Sequence, residues 1–378
     1  MGKYSRKKTR APEKRSRLSV IVTTVTLLLL AILIGAVLFG IFSYKTMLSK
    51  IPRAEYVEYT MSQEEISAML SGSSVAVESE SIEGSKIPAT VPEDVPPEPF
   101  DDVLNVLLIG QSAREGEEYH NADTVILVSI NKLTKTMTLT SFLRDAYLKL
   151  PDYRDLSGRD HAFGMQRLNV CYHLGHSLGG TAAAMDMLNQ CLYENFGIDV
   201  DFDIEIGFEG VEKIVDYFGG IEVDLTQAEA DYLNADDLYV LYDVAPGPQL
   251  LNGMAALSYA RMRNAEGDNG SDIRRTGRQR IVLEKLMEKI SGSDVAGLSW
   301  MMEDFLPYVV TNMTNDDITR CILEIFPLVP ELKLETGTCP AEGTYWGEIV
   351  NIGGFDSIVL QFDPDANREL MGLLTEGK

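Results

Sequence analysis

Histidine is scarce in this chain. Its 378 residues hold four, His120, His161, His173 and His176, and none follows position 176. That absence disarms the one serine-hydrolase motif present. Gly175-His176-Ser177-Leu178-Gly179 fits the G-x-S-x-G nucleophile elbow, but that fold needs its base after the serine, in the order Ser, acid, His. A glycine-rich loop leading into a helix from Thr181 is the reading that remains. Cysteine is equally sparse, with four residues, too few for a disulfide framework in so long a chain. Cys171 and Cys191 read as small buried apolar residues, whereas Cys321 and Cys339 are a pair that an oxidising exterior would allow to join. Cys171, His173 and His176 make a C-x-H-x-x-H cluster without the fourth ligand of a structural zinc site. Basic residues are the third shortage: 33 Lys and Arg face 57 Asp and Glu, a net charge of -24. Such a balance repels phosphate backbones and argues against DNA or RNA as a partner. No internal repeat is present.

The few cations are not scattered. Residues 1–17 carry Lys3, Arg6, Lys7, Lys8, Arg10, Lys14, Arg15 and Arg17 against Glu13 alone, so the remainder is more acidic than the whole. Behind this tail Leu18 to Phe42 is free of charge. At about 1.5 Å per residue a helix of that length crosses the ~30 Å hydrocarbon core. The run exceeds the h-region of a signal peptide and no small-x-small cleavage site follows it. The positive-inside rule keeps residues 1–17 in the cytoplasm and places the rest outside, a single-pass type II topology. Residues 43–100 read as a membrane-proximal segment and tether. Ser62 and Glu65 have capping-box spacing, and residues 71–100 are rich in Ser, Pro and acids with Lys86 the lone cation, too little apolar surface to offset chain entropy.

The folded part begins near Asp101. Val103–Ile109, Asp123–Ile130 and Thr136–Phe142 are β-branched and aliphatic runs bounded by turn residues, as in buried strands. Ala182–Phe196 has helical periodicity closed by Gly197. Asp203–Ile206, the helical Phe208–Phe218 and Ile221–Leu225 repeat strand, helix, strand. Helices are expected at Asn252–Ala260, Asp272–Ile290, Ile318–Phe326 and Ala366–Leu374, and strands at Glu331–Glu335 and Ile358–Phe362. The order implies an α/β domain over 101–292, with 293–378 as an extension packed on it.

Against the acidic balance, Arg261, Arg263, Arg274, Arg275, Arg278 and Arg280 fall within twenty residues. Arg261 and Arg263 face one side if the backbone there is extended. Asp272, Arg275 and Gln279 share a stripe of the helix that starts at Asp272, whose N-terminus adds backbone N–H groups. Such a cluster suits phosphate or pyrophosphate, unless these arginines are spent in salt bridges with surface carboxylates. Arg144, in Ser141-Phe142-Leu143-Arg144-Asp145, follows a strand end where α/β sheets place ligands. Asp123 offers a divalent ion one carboxylate, the kind of site magnesium shares with phosphate oxygens; as a lone residue it equally suits a turn.

Taken in this order, NVLLIG (105–110), Ala122-Asp123-Thr124, SFLRD (141–145), Arg167-Leu168-Asn169, a helix ending in VDYFGG at Gly220, LNGMAALSYARMR (251–263) and DIRRTGRQR (272–280) resemble the LytR-CpsA-Psr family of bacterial envelope proteins. The resemblance implies an α/β/α sandwich around a central mixed sheet, with a slot for a prenyl chain. It implies a magnesium-dependent phosphotransferase at the outer face of a bacterial, Gram-positive type of membrane. Such an enzyme moves a glycopolymer such as teichoic acid or capsule from a polyprenyl-pyrophosphate carrier to peptidoglycan. By motif, Arg144, Arg261, Arg263, Arg275 and Gln279 would hold the pyrophosphate, with Arg278 and Asp272 supporting them and Asp123 binding Mg2+. The helices at 182–196 and 208–218 are the candidates for the slot. Two departures stand out. Ser112 replaces a usual second metal-binding Asp and Asn121 a usual Arg, with Arg114 nearby as a substitute charge. They motivate the other reading, a catalytically weakened polyprenyl-phosphate-binding scaffold or regulator.

Overall fold

The computed structural model describes residues 46–57, 100–111, 122–235, 242–262, 272–291 and 306–375. The apolar run 18–42, Ser62, Glu65 and most of the tether lie outside them, as do Ser112, Arg114, Asn121 and Arg263. Among the described residues no helix is long and apolar enough to cross a membrane. Every element below belongs to the unit that begins at Ile51.

Strands β1 (Val103–Gln111), β2 (Ala122–Asn131) and β3 (Thr136–Phe142) form an antiparallel meander. Short strands β4 (Tyr147–Lys149), β5 (Tyr153–Arg154), β6 (Asp160–His161) and β7 (Met165–Arg167) pair as β4–β7 and β5–β6. Helix α1 (Leu168–Phe196) leads to β8 (Phe202–Ile206), α2 (Phe208–Tyr217), β9 (Ile221–Leu225), α3 (Gln227–Ala235), β10 (Gly247–Leu251), α4 (Gly253–Arg261) and α5 (Asp272–Ser291). Then follow β11 (Val309–Thr311), α6 (Asn315–Glu324), β12 (Lys333–Cys339), the hairpin β13 (Tyr345–Ile352) and β14 (Phe355–Phe362), and α7 (Pro364–Thr375).

The central sheet has the order β11-β8-β1-β2-β3-β12. It is mixed: β8 runs parallel to β1 and β12 parallel to β3, while β11 is antiparallel to β8. Successive side chains go to opposite faces. Leu107, Ile109, Val125 and Leu127 enter the core against α1, whereas Val106, Ile126, Ile130 and Leu139 enter a second core with Leu283 and Met287 of α5 and Ile325 after α6. Helices thus cover both faces, as expected of an α/β/α sandwich. A third core joins α2, β9, β10, α3, α4 and α5 through Val215, Ile221, Leu233, Leu251, Tyr259 and Leu286.

Several expectations need correction. Residues 175–178 are not a loop, because α1 begins at Leu168; it is two helical halves merged across Gly179 and Gly180, the latter at φ 75°. Ser177 Oγ donates to the His173 carbonyl 2.9 Å away, one helical turn back. The halves fold against each other. A Cβ on Gly175 would lie 2.7 Å from the Ala183 carbonyl oxygen and the Ala184 Cα, and Cys171 Sγ lies 3.4 Å from the Met187 carbonyl oxygen. Ile221–Leu225 does not join the central sheet. It pairs with β10, a strand the sequence reading missed, and its alternation of buried Ile221, Val223 and Leu225 with exposed Glu222 and Asp224 is that of a one-sided antiparallel sheet. The C-terminal residues are more than a packed extension, since β11 and β12 are the two edge strands of the sheet. Cys321 and Cys339 are free thiols. Residues 51–57, read as part of the membrane-proximal segment, lie against the domain. Ala54 N–H donates to the Thr311 carbonyl at 3.0 Å and Val57 N–H to the Gly179 carbonyl at 2.8 Å.

Two predictions follow from this packing. Gly175→Ala drives a methyl into the opposing backbone and costs about 1–3 kcal/mol of stability, measurable as a lower urea midpoint; an unchanged midpoint refutes the close approach. Asp203 of β8 is fully buried, and burial, with Asp186 adding to it and the Asn189 hydrogen bond opposing, raises its pKa from 3.8 to about 7. A carboxyl raised on folding gives stability that is full below its unfolded pKa and is lost as pH rises through about 7. Urea titrations at pH 5 and 8 should differ in that direction, and Asp203→Asn should shrink the difference.

Candidate functional site

Between the second face of the sheet and the layer of α2, α4 and α5 lies a cavity of about 500 Å³. Its polarity is graded. Gly110 and Gln111 at the end of β1, Asp123 and Thr124 at the start of β2, Arg261 at the end of α4, and Arg275 and Gln279 in the first turns of α5 make its polar wall. Leu108, Ile126, Ile206, Val211, Leu257, Val282, Leu283 and Leu286 make the apolar part.

The gradation is written along α5. Arg275, Gln279, Val282 and Leu286 fall at i, i+4, i+7 and i+11, one stripe of a 3.6-residue helix. The first two are polar and the last two apolar. Arg275 is only 3% exposed, which makes its charge count for more than a solvated one. Helix α4 is seated by contacts at its start. Asn252 Oδ1 caps it by accepting from Ala255 N–H at 2.9 Å, and Asp216 Oδ1 accepts from Gly253 N–H at 2.7 Å. Gly253 is required there, since a Cβ would lie 2.2 Å from the Glu212 carbonyl oxygen on α2. At the other end Arg261 lays its guanidinium 4.4 Å from the centroid of the Phe208 ring, a cation–π contact that holds an exposed arginine over the cavity.

Asp123 is tied to Arg144, with Nη1 2.8 Å from Oδ1. Arg144 also has Asp145 at 3.8 Å, and Asp145 in turn has Arg167 at 3.7 Å. Charges of alternating sign therefore run along this side of the site.

The structure thus brings Asp123, Arg144, Arg261, Arg275 and Gln279 together. Arg278 is placed elsewhere. Its Nε donates to Glu229 Oε1 at 2.8 Å and its Nη1 to the Met262 carbonyl at 3.0 Å. Arg274 is exposed, and Arg280 reaches the Gly337 carbonyl on β12 at 3.2 Å. Asp272 begins α5, with its side chain outside the described residues, as is Arg263 altogether. The expected extended alignment of Arg261 with Arg263 is not what the backbone shows at Arg261, which is helical; the chain turns extended only at Met262, φ −54° and ψ 125°. Of the two helices proposed for an apolar slot, 208–218 supplies Phe208 and Val211, whereas 182–196 packs on the opposite face of the sheet. Gln111, Thr124, Tyr232 and Ser258 line the cavity without having been singled out; Gln111 directly follows NVLLIG, and Thr124 and Ser258 lie within the ADT and LNGMAALSYARMR motifs.

Among the described residues of the cavity wall a magnesium ion would find one carboxylate, Asp123, with the Gln111 and Thr124 oxygens beside it. Among the described residues no group of three His, Cys, Asp or Glu side chains is placed to hold a metal. The described donors are of the kind that suits magnesium as an ion shared with phosphate oxygens.

The LytR_cpsA_psr family model matches residues 66–354. The polyisoprenyl-teichoic acid–peptidoglycan teichoic acid transferase TagU of Bacillus licheniformis is 32% identical over 221 residues, 57% of this chain and 62% of that protein. Biofilm regulatory protein A of Streptococcus mutans is 32% identical over 198 residues, 52% of this chain and 45% of that protein. The chain thus spans less than two thirds of the length of these curated relatives. The solved structure of YwtF (TagT) with bound octaprenyl pyrophosphate lipid superposes with a TM-score of 0.52 at 20% identity, covering 74% of this chain and 94% of that one. At that identity the likeness shows a shared fold.

The graded cavity predicts affinity for an amphiphilic anion. The dye 1-anilinonaphthalene-8-sulfonate should fluoresce on binding the folded protein, Leu257→Trp should abolish the signal by filling the apolar part, and Arg261→Gln should weaken it roughly tenfold. Undiminished fluorescence in both variants would place the dye elsewhere.

Proposed function

The chain belongs to the LytR-CpsA-Psr family, and from that membership and the graded cavity we infer that it transfers a glycopolymer from a polyprenyl-pyrophosphate carrier to peptidoglycan. The observation that carries the reading is the single stripe of α5 on which Arg275 and Gln279 give way to Val282 and Leu286. A diphosphate joined to a long hydrocarbon needs that sequence of surfaces in that order. The TagU relative is named for such a transfer, and the octaprenyl pyrophosphate carried by the YwtF (TagT) structure has the same chemistry of charged head and apolar tail.

In this reading Arg261, Arg275 and Gln279 hold the pyrophosphate, and Arg144 and Arg263 complete the cationic side. The apolar wall takes the first isoprene units and keeps water from the head. The acceptor hydroxyl attacks the phosphorus that bears the glycan, the bridging P–O bond breaks, the hydroxyl proton is released and polyprenyl phosphate departs. Charge grows on the departing phosphate as that bond breaks, so arginines aimed at it favour the transition state over the ground state. Asp123 would hold a magnesium ion, which supplies further neutralisation of the phosphate oxygens. Residues 18–42 anchor the domain beside the outer leaflet of a Gram-positive envelope, where the carrier resides, and the tether allows it to reach the wall.

A second reading, a carrier-binding scaffold or regulator of envelope assembly with weakened transfer, is favoured by one feature. Asp123, the one acidic side chain in the described cavity wall, is engaged by Arg144 at 2.8 Å, and position 112 offers serine rather than a second carboxylate. A labelled polyprenyl-pyrophosphate glycan incubated with the protein, peptidoglycan fragments and magnesium separates the two. Release of carrier phosphate that falls about a hundredfold in Arg261→Ala, and falls in Asp123→Ala, identifies the transferase. Tight carrier binding without release identifies the scaffold, and no binding removes both.

A further inference from the structure

One buried ion pair lies outside the cavity yet joins the segments that build its cationic wall. Glu229, in the first turn of α3, is 9% exposed and Arg278 of α5 is 5% exposed. The Glu229 carboxylate is fully engaged. Oε1 accepts from Arg278 Nε at 2.8 Å, and Oε2 accepts from Thr226 N–H at 3.0 Å and Thr226 Oγ1 at 2.9 Å. The Thr226 hydroxyl closes a capping box by accepting from Glu229 N–H at 3.3 Å. Glu229 is thereby fixed to its own helix start, and it turns one oxygen toward α5.

Arg278 uses the other arm of its fork on the Met262 carbonyl, 3.0 Å away, with its guanidinium 6.0 Å from the Tyr259 ring. Met262 is the residue at which the chain leaves α4, immediately after Arg261. Arg278 is also the neighbour in sequence of Gln279 and one turn on from Arg275, both in the cavity wall. The guanidinium consequently ties the exit of α4 to the first turns of α5.

We propose that Glu229 is a positioning residue for the anion site: it orients Arg278 so that the end of α4 and the start of α5 present Arg261, Arg275 and Gln279 to one ligand. Glu229 touches no part of the cavity. Its charge is kept: burial alone would raise the pKa, but the hydrogen bonds from Arg278 and Thr226 and the arginine charge leave it below the ordinary value. Without that charge the buried guanidinium loses the carboxylate that orients its Nε, swings or draws in water, and weakens its hold on the Met262 carbonyl. Small displacements of charged groups reduce their hold on a phosphate steeply, because oriented hydrogen bonds weaken away from ideal geometry.

The inference rests on the carrier-binding reading, and its test keeps the two apart. Full-length protein in detergent micelles is titrated with farnesyl pyrophosphate. Glu229→Gln should weaken binding about tenfold or more, Glu229→Asp, which restores the charge, should recover most of it, and Glu229→Gln should add little when Arg261→Gln is already present. Wild-type affinity in Glu229→Gln overturns the proposal. So does an equal loss in the Gln and Asp variants that tracks a fall in unfolding temperature and adds in full to Arg261→Gln, since that is the mark of a residue serving stability alone. Should Glu229→Gln fail to fold, Arg278→Lys keeps the charge but not the fork to Met262; weakened binding there supports the proposal and unchanged binding overturns it. Failure of the unsubstituted protein to bind farnesyl pyrophosphate is a different result, which strikes the carrier reading itself.

Discussion

The site depends on a gap that does not close. Apolar walls facing each other across an unfilled space lose contacts they would make if they collapsed, so something must hold the α2, α4 and α5 layer off the sheet. The layer has a hydrophobic core of its own, in which Val215, Leu251, Tyr259 and Leu286 are packed without the sheet. Helix α5 is shared: Val282 and Leu286 belong to that core, while Leu283 and Met287 pack on the sheet core with Ile126 and Leu139. One helix therefore fixes the height of the layer at the sheet edge of the cavity. At the other side Gly253 lets α4 pass close to α2, since a Cβ there would lie 2.2 Å from the Glu212 carbonyl oxygen. The cavity is the space left when each wall has satisfied its own packing.

The same scaffold sorts arginines that look alike in sequence. Within DIRRTGRQR, Arg275 faces the cavity, Arg278 is turned to Glu229, Arg280 bonds to the Gly337 carbonyl, and Arg274 is exposed. Helical rotation of about 100° per residue separates them. What each can do follows from its surroundings. Arg275 is shielded from water and beside a cavity, so its charge acts on whatever enters; Arg278 is matched to a carboxylate and acts on the backbone. A count of basic residues sees none of this, although the acidic balance of the rest of the chain shows that the cluster has a purpose.

Much of the architecture was legible in residue patterns. The three meander strands, α2, α4 and α5 lie within a few residues of where β-branched runs, Asn252 and the stripe from Asp272 place them. What was hidden depended on partners distant in sequence. Gly247–Leu251 gives little sign of a strand, because Pro248 and Gly247 are poor strand formers, and it becomes one only by pairing with Ile221–Leu225. Glycines 175, 179 and 180 read as a loop, whereas one of them permits two helices to touch and the other two make the bend between them. Residues 51–57 carry no strand signal beyond their own chemistry and are ordered by Thr311 and Gly179. The gathering of Asp123, Arg144, Arg261, Arg275 and Gln279 in one place was readable from motifs. The role of Glu229 was not, since its partner stands 49 positions away.

The register of β8 keeps two carboxyls of an acidic protein away from the arginines of the cavity. Phe202, Ile204 and Ile206 point to the cavity side of the sheet, where Ile206 lines the cavity and the other two pack in the core with Leu283. Asp203 and Glu205 point to the opposite side, where Asn189 and Asn312 donate to Asp203 at 2.8 and 2.7 Å and Tyr172 donates to Glu205. Two carboxyls are thus separated from the arginines by the sheet, and burial raises the pKa of both, that of Asp203 to about 7. A slip of one residue in the pairing of β8 with β1 would exchange the faces and set these carboxyls among the apolar residues of the cavity. The parallel pairing of Val106 with Phe202 through Gly110 with Ile206 prevents this, because it matches Ile204 and Ile206 to the apolar face and leaves the acids to hydrogen-bonding partners. The alternation that builds the sheet is therefore also what keeps these carboxyls off the cavity face.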